Sequence, residues 1–327
     1  MTSGINTREM ILEILLQINE EGEHSHIAIR NALSKYQFLP KQERAFITRV
    51  CEGTLEYRIL IDYIINSFSK IPVDKICDSL KSQGVTVEPA PYLPYAKRIS
   101  GYNHILALDA FIQGKILVQD VSSMLVAEIA NPSRGDYVID MCAAPGGKSL
   151  HMGDKMEGFG TVDARDISQY KVNLIEENIQ RTGSINVQAK VQDATLFDVE
   201  SECKADIVLA DVPCSGYGVI GKKPEIKYRS TAQKEDELVI LQRTILDKAA
   251  EYVKPRGVLI FSTCTIAKEE NEENMMWFMN NHPFKLESID DCIPEELHSE
   301  TTALGYLQLL PGVHGTDGFF IAKFRRK

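Results

Sequence analysis

From Pro132 onward, short apolar runs alternate with amphipathic stretches, and each run stops at a polar or reactive residue. "YVIDM" closes around Asp140, "GTVDA" around Asp163, "DIVLAD" at Asp211 and "RGVLIFST" just before Cys264, while "NVQAKV" leads to Asp193. Between them lie "GGKSLHMGDKM", "DISQYKVNLIEENIQRTG" and "TAQKEDELVILQRTILDKAAEYV", all of helical character. A parallel strand buried on both faces reads as a continuous apolar run, and its parallel neighbour needs a helical crossover. The βαβα order therefore predicts an α/β fold with a doubly wound, mainly parallel sheet over 132–327. The tail "GYLQLLPGVHGTDGFFIAKFRR" reads as two strands joined by a Gly-rich turn, which adds an antiparallel edge.

The N-terminal part has a different period. In "REMILEILLQI", Met10, Ile11, Ile14, Leu15 and Ile18 share one helical stripe. "HSHIAIRNALSKY" and the long run "KQERAFITRVCEGTLEYRILIDYIINSFSK" continue the helical pattern, which predicts a small all-helical domain. "ICDSLKSQGVTVEPAPYLPYAKRISG", rich in Pro and Gly, reads as linker or small subdomain. "QGKILVQDVSSMLVAEIA" reads as a short strand followed by a helix.

The net charge of −10 argues against a uniformly basic nucleic-acid binder but leaves room for a local basic groove. Seven cysteines, an odd count without a CxxC pair, argue against a disulfide framework and against a zinc knuckle. The histidines are scattered, and no metal site is expected. No segment is long and apolar enough to span a membrane, and "MTSGINTREM" lacks a secretory pattern. These features point to a reducing, cytoplasmic setting.

"DMCAAPGGKSLHM" offers a Gly-Lys-Ser where a strand turns into a helix. As a phosphate loop it has Cys142 where the first glycine belongs, and Pro145 removes an N–H that a phosphate nest needs. The competing reading is a Rossmann-type loop for S-adenosylmethionine. Ala143, Ala144, Gly146 and Gly147 keep side chains small beside such a ligand. Asp163 is then placed to take the ribose hydroxyls and Asp193 to meet the adenine amino group. A lone Asp at a strand end is ordinarily a cap or turn residue; three at consecutive strand ends form a pattern.

Cys214, in "ADVPCSG", and Cys264, in "FSTCT", follow the fourth and fifth strands. Carboxyl ends of adjacent parallel strands line one crevice, so both thiols should face it. Methylation at C5 of a cytosine needs a thiolate, because C5 is too weak a nucleophile until a thiolate adds to C6. Asp211 suits assistance at N3. The bland reading, a buried apolar cysteine, is applied to Cys51, Cys77, Cys203 and Cys292.

Taken together, "DMCAAPGGKS", "VDARD", "ADVPCSGYGVIGKKPEIKY", "FSTCTIAKEENEEN" and "LLPGVHGTDGFFIAKFRR" resemble the successive motifs of the RsmB (Sun) family of RNA cytosine-5 methyltransferases. The N-terminal helices resemble the start of a NusB-like domain. The resemblance implies S-adenosylmethionine against Cys142 to Lys148, with Asp163 on the ribose, Asp193 near the adenine and Asp211 near the methionine end. It implies Cys264 as nucleophile and Cys214 as the residue assisting release. It also implies RNA, most naturally small-subunit rRNA, as partner. The layout it suggests is a partial NusB-like domain at 1–75, a linker and small subdomain at 76–131, and a Rossmann-like methyltransferase domain at 132–327. The helical part is shorter than the family's, which would leave apolar faces uncovered. Lys222, Lys223, Lys227 and Arg229, just past the "PC" turn, are candidate phosphate contacts, and Tyr217 and Tyr228 are candidate base-stacking residues. The acidic run "KEENEEN" reads as a helix start. Two other classes stay open: an RNA-binding or assembly factor without turnover, and a P-loop NTPase.

Overall fold

The structure is a computed structural model that describes residues 6–19, 23–37, 39–56, 72–229 and 231–327. It divides into two compact units, Met1–Pro72 and Val73–Lys327.

The first unit contains α1 (Thr7–Asn19), α2 (Ser25–Lys35) and α3 (Lys41–Glu56). Met10, Ile11 and Ile14 of the α1 stripe are buried against Ala28, Ile29, Ile47 and Cys51, and Leu15 and Ile18 pack alongside. The rest of the long helical run beyond Glu56, 57–71, lies outside the described residues.

The second unit begins with α4 (Val73–Ser82) and an antiparallel pair, β1 (Thr86–Pro89) and β2 (Lys97–Ser100). The Pro- and Gly-rich stretch thus has structure of its own, with Leu80, Val85, Leu108 and Ala110 as a small core. The strand expected in "GKILVQ" does not form. Ile116 packs onto this small core while Val118 is exposed, and among the described residues no strand pairs with this stretch. The helix that follows, α5 (Val121–Ala130), is capped by Asp120, whose side chain accepts from the Ser122 amide.

Then comes the large sheet: β3 (Tyr137–Asp140), α6 (Gly147–Lys155), β4 (Thr161–Asp166), α7 (Gln169–Thr182), β5 (Val187–Val191), β6 (Ala205–Asp211), α8 (Ala232–Tyr252), β7 (Val253–Thr263), α9 (Glu272–Asn281), β8 (Phe284–Leu286), β9 (Tyr306–Leu309) and β10 (Phe319–Arg326). The strand order is β5-β4-β3-β6-β7-β10-β8, with β9 also on β10. The first five are parallel, and β10 runs antiparallel to β7, β8 and β9. Successive residues face opposite layers: Val138, Ile207 and Ile260 join one core with Leu125 and Leu150, while Ile139, Val208 and Leu259 join the other with Leu246 and Phe278.

The antiparallel part is deeper in the sheet than an edge. β10 lies between β7 and β8, because Phe319 and Ile321 fill one layer while Phe320, Ala322 and Phe324 fill the other. Chain order runs outward from β3 to β5 on one side and from β6 to β7 on the other. The switch point is therefore the β3/β6 boundary, and the crevice lies at the carboxyl ends of those strands.

Candidate active site

The loop after β3 spends its own amides. The Ala143 N–H donates to the Arg165 carbonyl at 2.8 Å, Ala144 N–H to Asp166 Oδ2 at 3.0 Å, and Gly146 N–H to the Ala143 carbonyl at 2.7 Å. Pro145 has no N–H to give. A phosphate nest needs those groups free, so the phosphate-loop reading fails here. The loop turns into α6 at Gly146, whose φ is +100°; a Cβ there would sit 3.1 Å from Ile175 Cγ2. With Ala143, Ala144 and Gly147, it leaves a small-residue wall facing the crevice.

β4 runs to Asp166, past the expected end at Asp163. Asp163 is therefore inside the strand, opposite Ile139 and Gln188. Its Oδ2 accepts from Arg165 at 2.6 and 2.9 Å and from the Tyr137 hydroxyl at 3.1 Å, with Lys190 at 3.2 Å. Arg165 is fully buried, and its guanidinium also reaches Ser201, Asp198 and the Tyr252 ring. Asp163 is thus the partner of a buried cation rather than the acid at the strand terminus. The acid at that terminus is Asp166, 3% exposed. It takes the Ala144 N–H on one oxygen and the Ile167 N–H, at 2.8 Å, on the other, with Lys171 at 3.0 Å. Oδ2 keeps one lone pair unspent, while both on Oδ1 are taken by Ile167 and by Lys171, whose side chain is 46% exposed. The sequence carried the signal: "VDARD" has a second acid nearer the helix.

Asp193 follows β5, half-buried, accepting from the Thr195 N–H and hydroxyl at 2.8 and 2.7 Å. Those two bonds hold its carboxyl below the usual range. Asp140 ends β3 almost fully buried. Burial pushes its carboxyl up to about 7, against the Ser149 hydroxyl bond at 2.6 Å and with the help of the Asp211 charge.

Asp211 closes β6. One oxygen accepts from Ser262 Oγ at 2.8 Å and the other pairs with Lys148 Nζ at 2.7 Å. Burial alone would pull the Lys148 ammonium down, but the Asp211 charge and hydrogen bond outweigh it and hold it above its ordinary value. The lysine that suggests a triphosphate site is thus engaged with the acid of the neighbouring strand.

The structure places Cys214 Sγ and Cys264 Sγ 3.3 Å apart. The hydrogen bond it shares with Cys214 lowers Cys264, with burial and Asp211 opposing and Lys148 assisting. The same bond, with burial, raises Cys214. Cys142, in the same crevice, is driven far up by burial and by Asp140, Asp166 and Asp211, and stays a thiol. The two cysteine turns are pinned by Ser215 Oγ and Thr265 Oγ1 at 2.7 Å and by the Gly218 N–H on the Cys264 carbonyl at 3.0 Å. Gly218 must be glycine, since a Cβ there would meet the Gly318 carbonyl oxygen at 2.0 Å.

The basic cluster divides. Lys222 bridges Asp120 at 2.8 Å and Asp317 at 2.7 Å and ties the "PC" loop to α5 and to the segment before β10. Those carboxylates already satisfy it, which sets it apart from the free phosphate contacts expected of the run. Lys223 and Lys227 are exposed, and the Arg229 side chain lies outside the described residues. Tyr217 donates its hydroxyl to Glu235, while Tyr228 is 87% exposed. Of the acidic run, Glu272 and Glu273 do start α9, but Glu270 is buried against the Cys214 turn, a placement the sequence reading missed.

An open α/β sheet with this strand order, a small-residue loop at its switch point and paired thiols beside it defines the class of Rossmann-like methyltransferases. The chain belongs to the 16S rRNA methyltransferase RsmB/F family: the family's sequence model matches residues 127–325, and that of the NusB family matches residues 5–82. It is 37% identical over 257 residues to a probable ribosomal RNA small subunit methyltransferase B of Bacillus subtilis, covering 77% of this chain and 57% of that protein. With a ribosomal RNA small subunit methyltransferase F of Cronobacter sakazakii it shares 31% identity over 79% of this chain and 55% of the relative. The chain thus spans a little over half the length of these relatives. Among solved structures, PH0851 superposes with a TM-score of 0.73 at 28% identity, covering 97% of this chain and 81% of that one. The NSun6 structure from Pyrococcus horikoshii, with SFG, gives 0.61 at 32%, covering 69% and 56%.

Proposed function

We propose that this chain transfers a methyl group from S-adenosylmethionine to C5 of a cytosine in RNA, with small-subunit rRNA as the substrate. The observation that carries the reading is the pair of sulfurs 3.3 Å apart at the ends of adjacent strands. Family membership and the NSun6 relative, whose structure holds the cofactor analogue SFG, support the cofactor. The crevice fits it. Ala143, Ala144, Gly146 and Gly147 leave room for a backbone-close ligand, Asp166 supplies the acid for two vicinal hydroxyls, and Asp193 stands at the next strand end. When bound, S-adenosylmethionine supplies an electrophilic methyl group.

The protein's part follows from the thiols. Cys264 Sγ forms a bond to C6, and the electron pair displaced to C5 makes that carbon nucleophilic. The Lys148–Asp211 pair, 2.7 Å apart in the same crevice, is assigned to the N3 side of the ring, where hydrogen bonding would draw charge away and ease the addition. After transfer, solvent water takes the C5 proton, the C–H pair restores the C5–C6 double bond and the S–C6 pair returns to Cys264 Sγ; Cys214, 3.3 Å from the leaving sulfur, assists by hydrogen-bonding the departing thiolate. A base inside a helix must be flipped out to reach Cys264.

RNA docking is supported by Lys223 and Lys227 beside the "PC" turn. In the helical unit it is supported by a groove lined by Lys41, Arg44 and Arg49, with Glu52, where Arg44 Nε is buried with no partner among the described residues. Replacing Lys223 and Lys227 together by Ala is expected to weaken RNA binding and to lower the log–log salt slope by about one per lysine, measured by titration at several salt concentrations. An unchanged slope would remove both from the interface. The reaction itself is tested by incubating the protein with methyl-labelled cofactor and unmethylated small-subunit rRNA. Label at cytosine C5 is expected; cofactor binding with no label on any RNA would favour an assembly factor without turnover.

A further inference from the structure

Two thiols in contact pose a problem of identity, because either can carry the single negative charge the pair supports. Something around them must break the symmetry. Glu270 is 1% exposed and hydrogen-bonds directly behind the Cys214 turn. Its Oε2 accepts from the Ser215 N–H at 3.0 Å and from Gln242 Nε2 at 2.7 Å. Gln242 Nε2 also donates to the Pro213 carbonyl at 2.9 Å, and Asn274 Nδ2 donates to Gln242 Oε1 at 2.8 Å. Glu270 Oε1 is buried with no hydrogen-bond partner, and among the described residues the carboxylate receives only neutral donors. A buried carboxylate without a cation is costly to keep. A turn that needed only a hydrogen-bond acceptor could use an amide; here it is given a carboxyl group.

We propose that Glu270 is a positioning residue for the cysteine pair: it holds the Cys214 turn through the Ser215 amide and, by its charge, keeps the shared proton on Cys214, leaving Cys264 as the nucleophile. The groups facing the pair divide accordingly. On the Cys264 side are Lys148 from α6, Asp211 from β6 and, behind them, Asp140 from β3. Cys142 is a neutral thiol in the same crevice. On the Cys214 side, among the described residues, the charged group is Glu270, whose field adds to the Cys264 hydrogen bond, burial and the Cys264 charge in raising that thiol. Lys148 acting on Cys264 and Glu270 acting on Cys214 work in the same sense, against Asp211, whose charge raises Cys264. The next residue, Asn271, completes the device from the same turn. It accepts from the Thr263 hydroxyl at 2.6 Å and donates to the Thr265 carbonyl at 3.1 Å, so one dipeptide holds both cysteine turns.

This inference rests on the reading of Cys264 as nucleophile, but its test uses neither RNA nor cofactor, so its failure and that of the methyl-transfer reading are separable. The full chain is alkylated with iodoacetamide across a pH series and each site is followed by mass spectrometry. In the unsubstituted protein Cys264 should react first and at lower pH than Cys214. Glu270→Gln keeps an acceptor for Ser215 and removes the charge; the Cys264 to Cys214 rate ratio should fall about tenfold and the Cys214 midpoint should move down. Glu270→Asp keeps the charge and should keep the order. A third comparison leaves Glu270 in place. With Cys214→Ala and Cys264→Ala each leaving one thiol of the pair, the surviving Cys264 should titrate well below the surviving Cys214. Equal midpoints for the isolated thiols, or an unchanged ratio in a folded Glu270→Gln protein, would overturn the proposal.

Discussion

Cys264→Ala is expected to reduce methyl transfer by about 10⁴-fold or more, because without the C6 adduct the C5 carbon has no nucleophilic character to exploit. Cys214→Ala is expected to behave differently. Addition and transfer remain possible, release is impaired, and a protein–RNA adduct builds up that survives denaturing electrophoresis. The double variant should form none. The pH dependence has a defined sign. The hydrogen bond with Cys214 lowers Cys264 from its ordinary value, so its thiolate persists to lower pH than a free cysteine's, and the rate of adduct formation falls as pH drops through that lowered value. An adduct that accumulates with Cys264→Ala and not with Cys214→Ala would exchange the two roles.

Much of the site was legible because strand ends carry their own punctuation. Apolar runs that stop at Asp140, Asp211 and just before Cys264 can only converge if the sheet is parallel, and the observed order brings these residues to one crevice. What escaped has physical causes. Arg165 in "VDARD" looks like the start of solvent, yet Asp163, Asp198 and Ser201 neutralise and bond it inside the core, so the strand continues to Asp166. β8 has three residues, too few for any period to register. The pairing of Lys222 with Asp120 and Asp317 joins positions 102 and 95 residues away in the chain, a coupling no local pattern encodes. Glu270 was hidden by its neighbours, because an acid within "KEENEEN" reads as surface until the turn before α9 points it inward.

The two acids of "VDARD" give the second large effect, and they should separate binding from stability. Asp166 lies at the carboxyl end of β4, against the loop between β3 and α6, and as the ribose acid it would contribute two charge-assisted hydrogen bonds, the exposed Lys171 giving up its place on Oδ1. At about 1.5 kcal/mol each, their loss in Asp166→Asn should weaken S-adenosylhomocysteine binding about 100-fold by calorimetry. Asp163 lies three residues earlier, within the strand, where it holds Arg165, Lys190 and Tyr137. Asp163→Asn removes one partner of a buried cation and should cost about 3 kcal/mol of unfolding free energy in denaturant titrations, while ligand affinity in the folded protein changes by less than about threefold. Asp198, 3.4 Å from Arg165 Nη1, still balances part of the charge, which is why the domain should fold at all. The reverse result, with Asp163→Asn abolishing binding and Asp166→Asn only destabilising, would return the ribose to Asp163 and require β4 to end three residues earlier.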